Sequence, residues 1–196
     1  PVSAYAVGML CEKIKLPAGV VQILTTKNHA VADALSASSI PQVITLIGST
    51  KTGQHIMNTG SSSIKKYSME LGGNAPVLIF EDADLERAVE AVVNLKMANA
   101  GQICVAPNRI YIHDSIYDAF IERASELIKK YHYLGDDEEG PELSPLVDEA
   151  SVARLEKICD PGKHKGSIVL GGKRADREGY FFEPTIIKDL PENTSL

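Results

Sequence analysis

Strand and helix patterns alternate along the first third of this chain, and that alternation limits its fold more than any other feature. Apolar runs at residues 20–24, 43–47 and 64–69 read as buried strands. Between them lie helix candidates at 30–36 and 49–59. The order strand–helix–strand–helix–strand marks a parallel α/β sheet, because parallel neighbours need a crossover connection. Past Gly72-Gly73 the pattern restarts with an apolar strand at 76–80. A helix then opens at Asp82 or Asp84, acids suited to its positive end. Leu85, Ala88, Val89, Val92 and Val93 share one of its faces. Residues 109–113 read as a strand, and Ser115 with Asp118 reads as a capping box for a helix running to Ile128. Residues 133–146 read as a surface loop, 147–158 as a helix, and 168–170 and 180–187 as late strands. The expected fold is α/β: a parallel α/β sheet over 1–71, then a second α/β lobe over 72–196, with the boundary near Gly72-Gly73.

Charge and cysteine usage narrow the function. Twenty Lys and Arg face 26 Asp and Glu, a net charge of −6, which argues against a nucleic-acid surface. The longest like-charge run, Asp136-Asp137-Glu138-Glu139, reads as a solvated loop. Apolar stretches are too short to span a bilayer. The first ten residues lack a basic lead-in and read as a helix (Tyr5, Met9, Leu10) rather than a signal peptide. Three unclustered cysteines, Cys11, Cys104 and Cys159, fit free thiols in a reducing compartment, so the expected location is the cytoplasm. No Cys/His spacing suggests a metal site.

Two residues stand out chemically. Cys104 lies within residues 97–108, twelve positions with no formal charge. Such a segment suits neither helix nor strand, yet it is not polar enough for an ordinary exposed loop. A partly dry, backbone-rich setting activates a thiol, and neighbouring amides can hold the oxyanion formed when a thiolate adds to a carbonyl. Cys11 and Cys159 sit in ordinary helical patterns and read as structural. Glu70 ends the third apolar run, just before Leu71-Gly72-Gly73, where glycines permit close approach. In a half-dry cleft its carboxyl pKa rises, which suits a general base. Gly48-Ser49-Thr50 leaves a buried strand and opens a helix, a place where backbone N–H groups attract phosphate. The five histidines are scattered and read as surface or structural.

Taken together, these segments resemble the aldehyde dehydrogenase superfamily over essentially all 196 residues. The matching pieces are Leu16-Pro17-Ala18-Gly19-Val20-Val21, Gly48-Ser49-Thr50, Glu70-Leu71-Gly72-Gly73, Asp82-Ala83-Asp84-Leu85, Gly101-Gln102-Ile103-Cys104, Asn108-Arg109 and Gly179-Tyr180-Phe181-Phe182-Glu183-Pro184-Thr185. Asn74-Ala75-Pro76 is similar to the semialdehyde-oxidising branches. The resemblance implies a Rossmann-like NAD(P)-binding part over 1–71 and part of the cysteine-bearing catalytic domain over 72–196. It implies that Cys104 is the nucleophile and Glu70 the general base for oxidation of a small aldehyde to an acid through a thiohemiacetal and a thioester. Gly48 and Ser49 would line the pyrophosphate and nicotinamide side of NAD or NADP, Leu71 and Gly72 would contact the nicotinamide, and Asn108 and Arg109 would frame the cysteine loop.

The resemblance also implies a central fragment of a homo-oligomeric enzyme. The Pro-Trp-Asn segment that completes the family's oxyanion hole, the Lys-Pro and Glu-x-Phe-Gly-Pro ribose segments and the oligomerisation strand do not occur here. Thr25-Thr26-Lys27 and Leu46-Ile47 depart from the family near the cofactor. The expected activity of this chain by itself is therefore weak or nil. The competing expectations are a folded, non-catalytic remnant and, less favoured, a cysteine hydrolase or acyltransferase, for which no histidine is placed to pair with Cys104.

Overall fold

The computed structural model describes residues 2–137, 139–160, 162, 166–191 and 194. The chain divides into two compact units, Pro1–Gly72 and Gly73–Leu196.

The first unit opens with helix α1 (Val2–Lys13), followed by α2 (Ala30–Ala37), strand β1 (Val43–Gly48), α3 (Thr50–Thr59), a 3-10 turn (Gly60–Ser62) and β2 (Lys66–Leu71). Strands β1 and β2 pair in parallel, with Val43 opposite Lys66 and Gly48 opposite Leu71. Both strands alternate strictly between exposed and half-buried residues. The inner row holds Ile44, Leu46, Tyr67, Met69 and Leu71. Helix α3 lies on that row: a Cβ on its Gly53 would stand 3.1 Å from Leu71 Cδ2 and 3.7 Å from Leu46 Cδ2. The outer row (Val43, Thr45, Ile47, Lys66, Ser68, Glu70) is exposed.

One expected strand is absent. Residues 20–24 form no ladder, and Val20, Val21 and Leu24 are exposed. An apolar run becomes a strand only where a neighbour accepts its backbone hydrogen bonds, and no described residue pairs with this one. The segment lies along α1 instead, with Ile23 Cδ1 against Gly8 and the Tyr5 hydroxyl 2.6 Å from Thr25 Oγ1. The expected three-stranded half-sheet is thus two-stranded. Its second member also begins and ends two residues later than the apolar run suggested, so Glu70 lies inside the strand.

The second unit runs β3 (Pro76–Ile79), α4 (Leu85–Met97), a 3-10 segment (Ala98–Gly101), β4 (Arg109–Ile112), α5 (Asp114–Ile128), β5 (His132–Tyr133), β6 (Glu142–Leu143), α6 (Glu149–Ile158), β7 (Ser167–Leu170) and β8 (Ile186–Lys188). Strands β3 and β4 pair in parallel around α4. Asp84 caps α4 by accepting from Arg87 N–H at 3.2 Å. The expected apolar face is buried: Val89, Val93 and Met97 pack with Ile79, Phe120, Ala124, Ile128 and Leu143. A second cluster joins Leu146, Val152, Cys159 and Phe182.

Three local expectations are corrected. The cap of α5 is His113, whose Nδ1 accepts from Ser115 N–H at 3.3 Å, so the helix begins at Asp114 and Ser115 falls within its first turn. The stretch 133–146 contributes to a short parallel pair, β5 with β6; Glu138 of its acidic run lies outside the described residues. Residues 180–185 make one bridge, Phe182 to Arg174, and regular pairing begins only at Ile186.

Candidate active site

At the carboxyl ends of β1 and β2 the structure brings together Gly48, Ser49, Glu70 and Leu71. Gly48 faces Leu71 and Ile47 faces Glu70 across the ladder. Ser49 leaves the strand with extended backbone (φ −77°, ψ 155°) and caps α3, its Oγ accepting from Thr52 N–H at 3.1 Å. The Thr52 N–H is thus taken, whereas those of Thr50 and Lys51 have no acceptor within the helix. They form a patch suited to a phosphate oxygen, reinforced by the helix dipole.

Glu70 does not occupy the half-dry setting expected for it. Strand alternation puts it on the outer row with Lys66 and Ser68, and it is exposed. Leu71 points the other way and packs against α3. Its part toward any cofactor therefore rests on its main chain. A Cβ at Gly72 or Gly73 would meet nothing within 4 Å, and neither residue has a positive φ. The chain's own packing does not require glycine at either position. Glu70 and Gly72 belong to the first unit and Cys104 to the second.

Cys104 sits on an irregular loop, as its uncharged surroundings suggested. After α4 ends in the core at Met97, Asn99, Ala100 and Gly101 all take left-handed backbone (φ 50°, 54° and 74°). Three such residues in a row are costly unless neighbours hold them, at roughly 1–2 kcal/mol for a residue with a Cβ. The Ala100 methyl packs against both core clusters. Asn99 Nδ2 donates to Gln102 O at 3.3 Å. A turn closes from Ala106 N–H to Ile103 O at 3.0 Å and carries Cys104 at its crown, exposed, while Ala106 and Pro107 are buried behind it. The thiol is therefore presented outward, more openly than a partly dry setting would have it. Cys11 is half-buried on α1. Cys159 is buried, and burial pushes its thiol above the ordinary cysteine range against a smaller opposing contribution from Thr185.

Of the residues that hold this loop, Asn108 was expected to frame it, but the parts of Gln102 and Asn74 were missed. Gln102 Nε2 donates to Asn99 O at 2.9 Å and Pro145 O at 3.2 Å, and its Oε1 accepts from Val147 N–H at 2.9 Å. Asn108 Nδ2 donates to Asn74 Oδ1 at 2.8 Å. The density of amide side chains in an uncharged stretch was the available signal. Three of the five histidines are engaged elsewhere: His55 bonds Asp33, His113 caps α5 and His132 is buried with Glu142 Oε1 3.9 Å away, while His164 lies outside the described residues. Among the described residues no three His, Cys, Asp or Glu side chains converge as metal ligands, and no helix is long and apolar enough to cross a membrane.

Known proteins resemble this chain in sequence and fold. The sequence model of the aldehyde dehydrogenase family matches residues 1–196. The chain is 40% identical over 198 residues to the succinate-semialdehyde dehydrogenase (NADP+) of Escherichia coli strain K12, covering 100% of this chain and 41% of that protein. It is 39% identical over 196 residues to a glutarate-semialdehyde dehydrogenase of Pseudomonas putida, again covering 100% and 41%. A crystal structure of an E. coli NADP-dependent enzyme superposes with a TM-score of 0.91 at 40% identity, covering 98% of this chain and 40% of that one. Succinate-semialdehyde dehydrogenase from Burkholderia pseudomallei gives 0.90 at 34%, covering 97% and 40%. The chain thus spans about two-fifths of the length of these relatives.

Proposed function

The chain belongs to the aldehyde dehydrogenase family, and from that premise we propose that it is the central part of an enzyme oxidising an aldehyde to a carboxylic acid with NAD or NADP. The names of its relatives favour an aliphatic semialdehyde as substrate. Residues 1–71 belong in this reading to the cofactor-binding domain and 72–196 to the catalytic domain of a cytoplasmic homo-oligomer. The N–H groups opening α3 after Gly48 and Ser49 fit the cofactor's pyrophosphate, with the Leu71 main chain and Gly72 beside the nicotinamide.

The Cys104 thiolate adds to the aldehyde carbon and holds it as a thiohemiacetal. A bound nicotinamide supplies the hydride acceptor for the oxidation of that adduct. Cys104 then carries the acyl group as a thioester. Glu70 takes a proton from the water that cleaves it, releasing the acid and restoring the thiol. The observation that supports this best is the outward-facing Cys104 on a strained loop held from both sides, in a family that uses an aldehyde-oxidising thiol. Turnover by this chain is slow, because the segment bearing the oxyanion asparagine does not occur in it; one such donor is worth about 10²–10³ in rate.

Two measurements test the reading: mass-spectrometric mapping of iodoacetamide labelling, and reduced-cofactor formation with succinic semialdehyde. Selective labelling of Cys104 over Cys11 and Cys159, with slow turnover, is the expected result. An inert Cys104 overturns its role, and turnover at the rate of a normal dehydrogenase overturns the incompleteness of the site. The exposure of both Glu70 and Cys104 favours a second reading, a folded remnant that binds cofactor without oxidising aldehyde; saturable cofactor binding with no reduced product marks it.

A further inference from the structure

Lys96, in the last turn of α4, sends its side chain along the loop that carries Cys104. Its stem lies against Gly101: a Cβ there would stand 3.3 Å from Lys96 Cε and 3.1 Å from the Lys96 carbonyl oxygen. Its ammonium reaches Asn108 Oδ1 at 3.5 Å. Gly101 precedes the cysteine by three positions and Asn108 follows it by four, so one side chain touches the loop on both sides of the thiol. Asn108 is held in turn. Its Nδ2 donates to Asn74 Oδ1 at 2.8 Å and its N–H points at Ala75 O, 3.5 Å away. The orientation of its amide follows, because an ammonium only donates and must therefore meet Oδ1.

We infer that Lys96 is a positioning residue for Cys104, a strut that closes the base of the thiol loop by joining its entry at Gly101 to its exit at Asn108. The inference rests on the reading of Cys104 as the nucleophile. Stability alone does not account for a lysine here. Burial pushes the Lys96 ammonium below the ordinary lysine range, so the charged form is held at a cost. A methionine would fill the same stem volume without that cost. What the ammonium adds is the directed contact to Asn108 across the loop.

The test compares Lys96→Met, which keeps the stem and loses the donor, with Lys96→Arg, which keeps both, in the full chain. Hydrogen exchange is followed at the Gln102 and Ala106 amides, both bonded inside the loop, and along α5 as a reference. Lys96→Met is expected to speed loop exchange about five- to tenfold, to leave α5 unchanged, and to be rescued by Lys96→Arg. Iodoacetamide selectivity for Cys104 in the unsubstituted chain is measured alongside. Unchanged loop exchange in Lys96→Met, with Cys104 still labelled selectively, overturns the strut and leaves the nucleophile standing. Acceleration throughout α5 as well overturns it by making Lys96 a general stabiliser. Accelerated loop exchange without selective labelling overturns it through its premise, because the loop would then hold no tuned thiol.

Discussion

Replacing Gln102 with alanine isolates what holds the cysteine loop to the rest of its unit. The side chain makes three hydrogen bonds, at 2.9, 3.2 and 2.9 Å, and two of them reach residues 43 and 45 positions away. Each such bond contributes a net 0.5–1.5 kcal/mol or so. Gln102 and Val147 are exposed, so water can replace the lost partners and the low end of that range applies. The expected cost is about 1.5 kcal/mol, a shift of roughly 0.7 M in urea midpoint for an m-value of about 2 kcal/mol/M. Hydrogen exchange of α4 and α5 amides during the titration reads the second unit alone. The Val147 amide, whose acceptor is removed, is expected to exchange faster already in the absence of urea. Gln102→Glu is the control. Its carboxylate can still accept from Val147 N–H, but it faces the Asn99 and Pro145 carbonyls with no proton to donate, so it should destabilise at least as much as alanine. A Gln102→Ala midpoint within about 0.3 kcal/mol of the parent, with Val147 exchange unchanged, would refute the assignment of this side chain as the loop's latch.

Three further outcomes are expected. Hydrogen bonding to Arg174 holds Glu149 below the usual glutamate range, Ser151 does the same for Asp148, and at Asp136 desolvation, the largest single influence, is overcome by the bonds from Arg177 and Tyr133 N–H together with the Arg177 charge, leaving a net depression. Groups with depressed folded values stabilise above their unfolded pKa, so the second unit should keep its thermal midpoint above about pH 5 and lose it steadily as pH falls through 4. Gly171→Ala should prevent stable packing of β7 on β8, at about 3 kcal/mol or more by urea unfolding, because φ is +67° and the new Cβ would sit on the Pro184 carbonyl. Ile47→Lys should leave stability within about 0.5 kcal/mol, since Ile47 is 83% exposed and the new ammonium faces Glu70 across the ladder; light scattering over a concentration series should show weaker self-association than the parent.

Helix α4 was legible because everything that specifies it is local. Asp84 sits three residues before the amide it caps, and the buried face repeats within four turns. The run at 20–24 has the right composition for a strand and is not one, because strand formation is decided by a partner elsewhere in the chain. The same logic moved the cap of α5. A ring nitrogen of His113 reached the Ser115 amide first, and no propensity for serine at a cap could reveal that competitor. Residues 66–71, by contrast, carried a signal in plain view. Lys, Tyr, Ser, Met, Glu and Leu alternate polar and apolar without a break, and this places Glu70 with the polar row.

That alternation bears directly on how the site is built. A parallel sheet is ordinarily covered on both faces, yet Val43 and Ile47 stand exposed beside Thr45, Lys66, Ser68 and Glu70. An apolar pair on the same face as the candidate base is what a covered surface requires and a solvated one does not. Setting Glu70 among polar neighbours, with Ile47 opposite it, suits a carboxylate that is to be enclosed only when that face is covered. The thiol loop shows the complementary design. Its strain at Asn99 and Ala100 is held locally by Gln102, by Asn108 and by the packing of Ala100, so Cys104 keeps its presentation without any cover. On the proposed reading the nucleophile is preorganised by its own unit, whereas the base gains its dry setting only from what lies over the outer row.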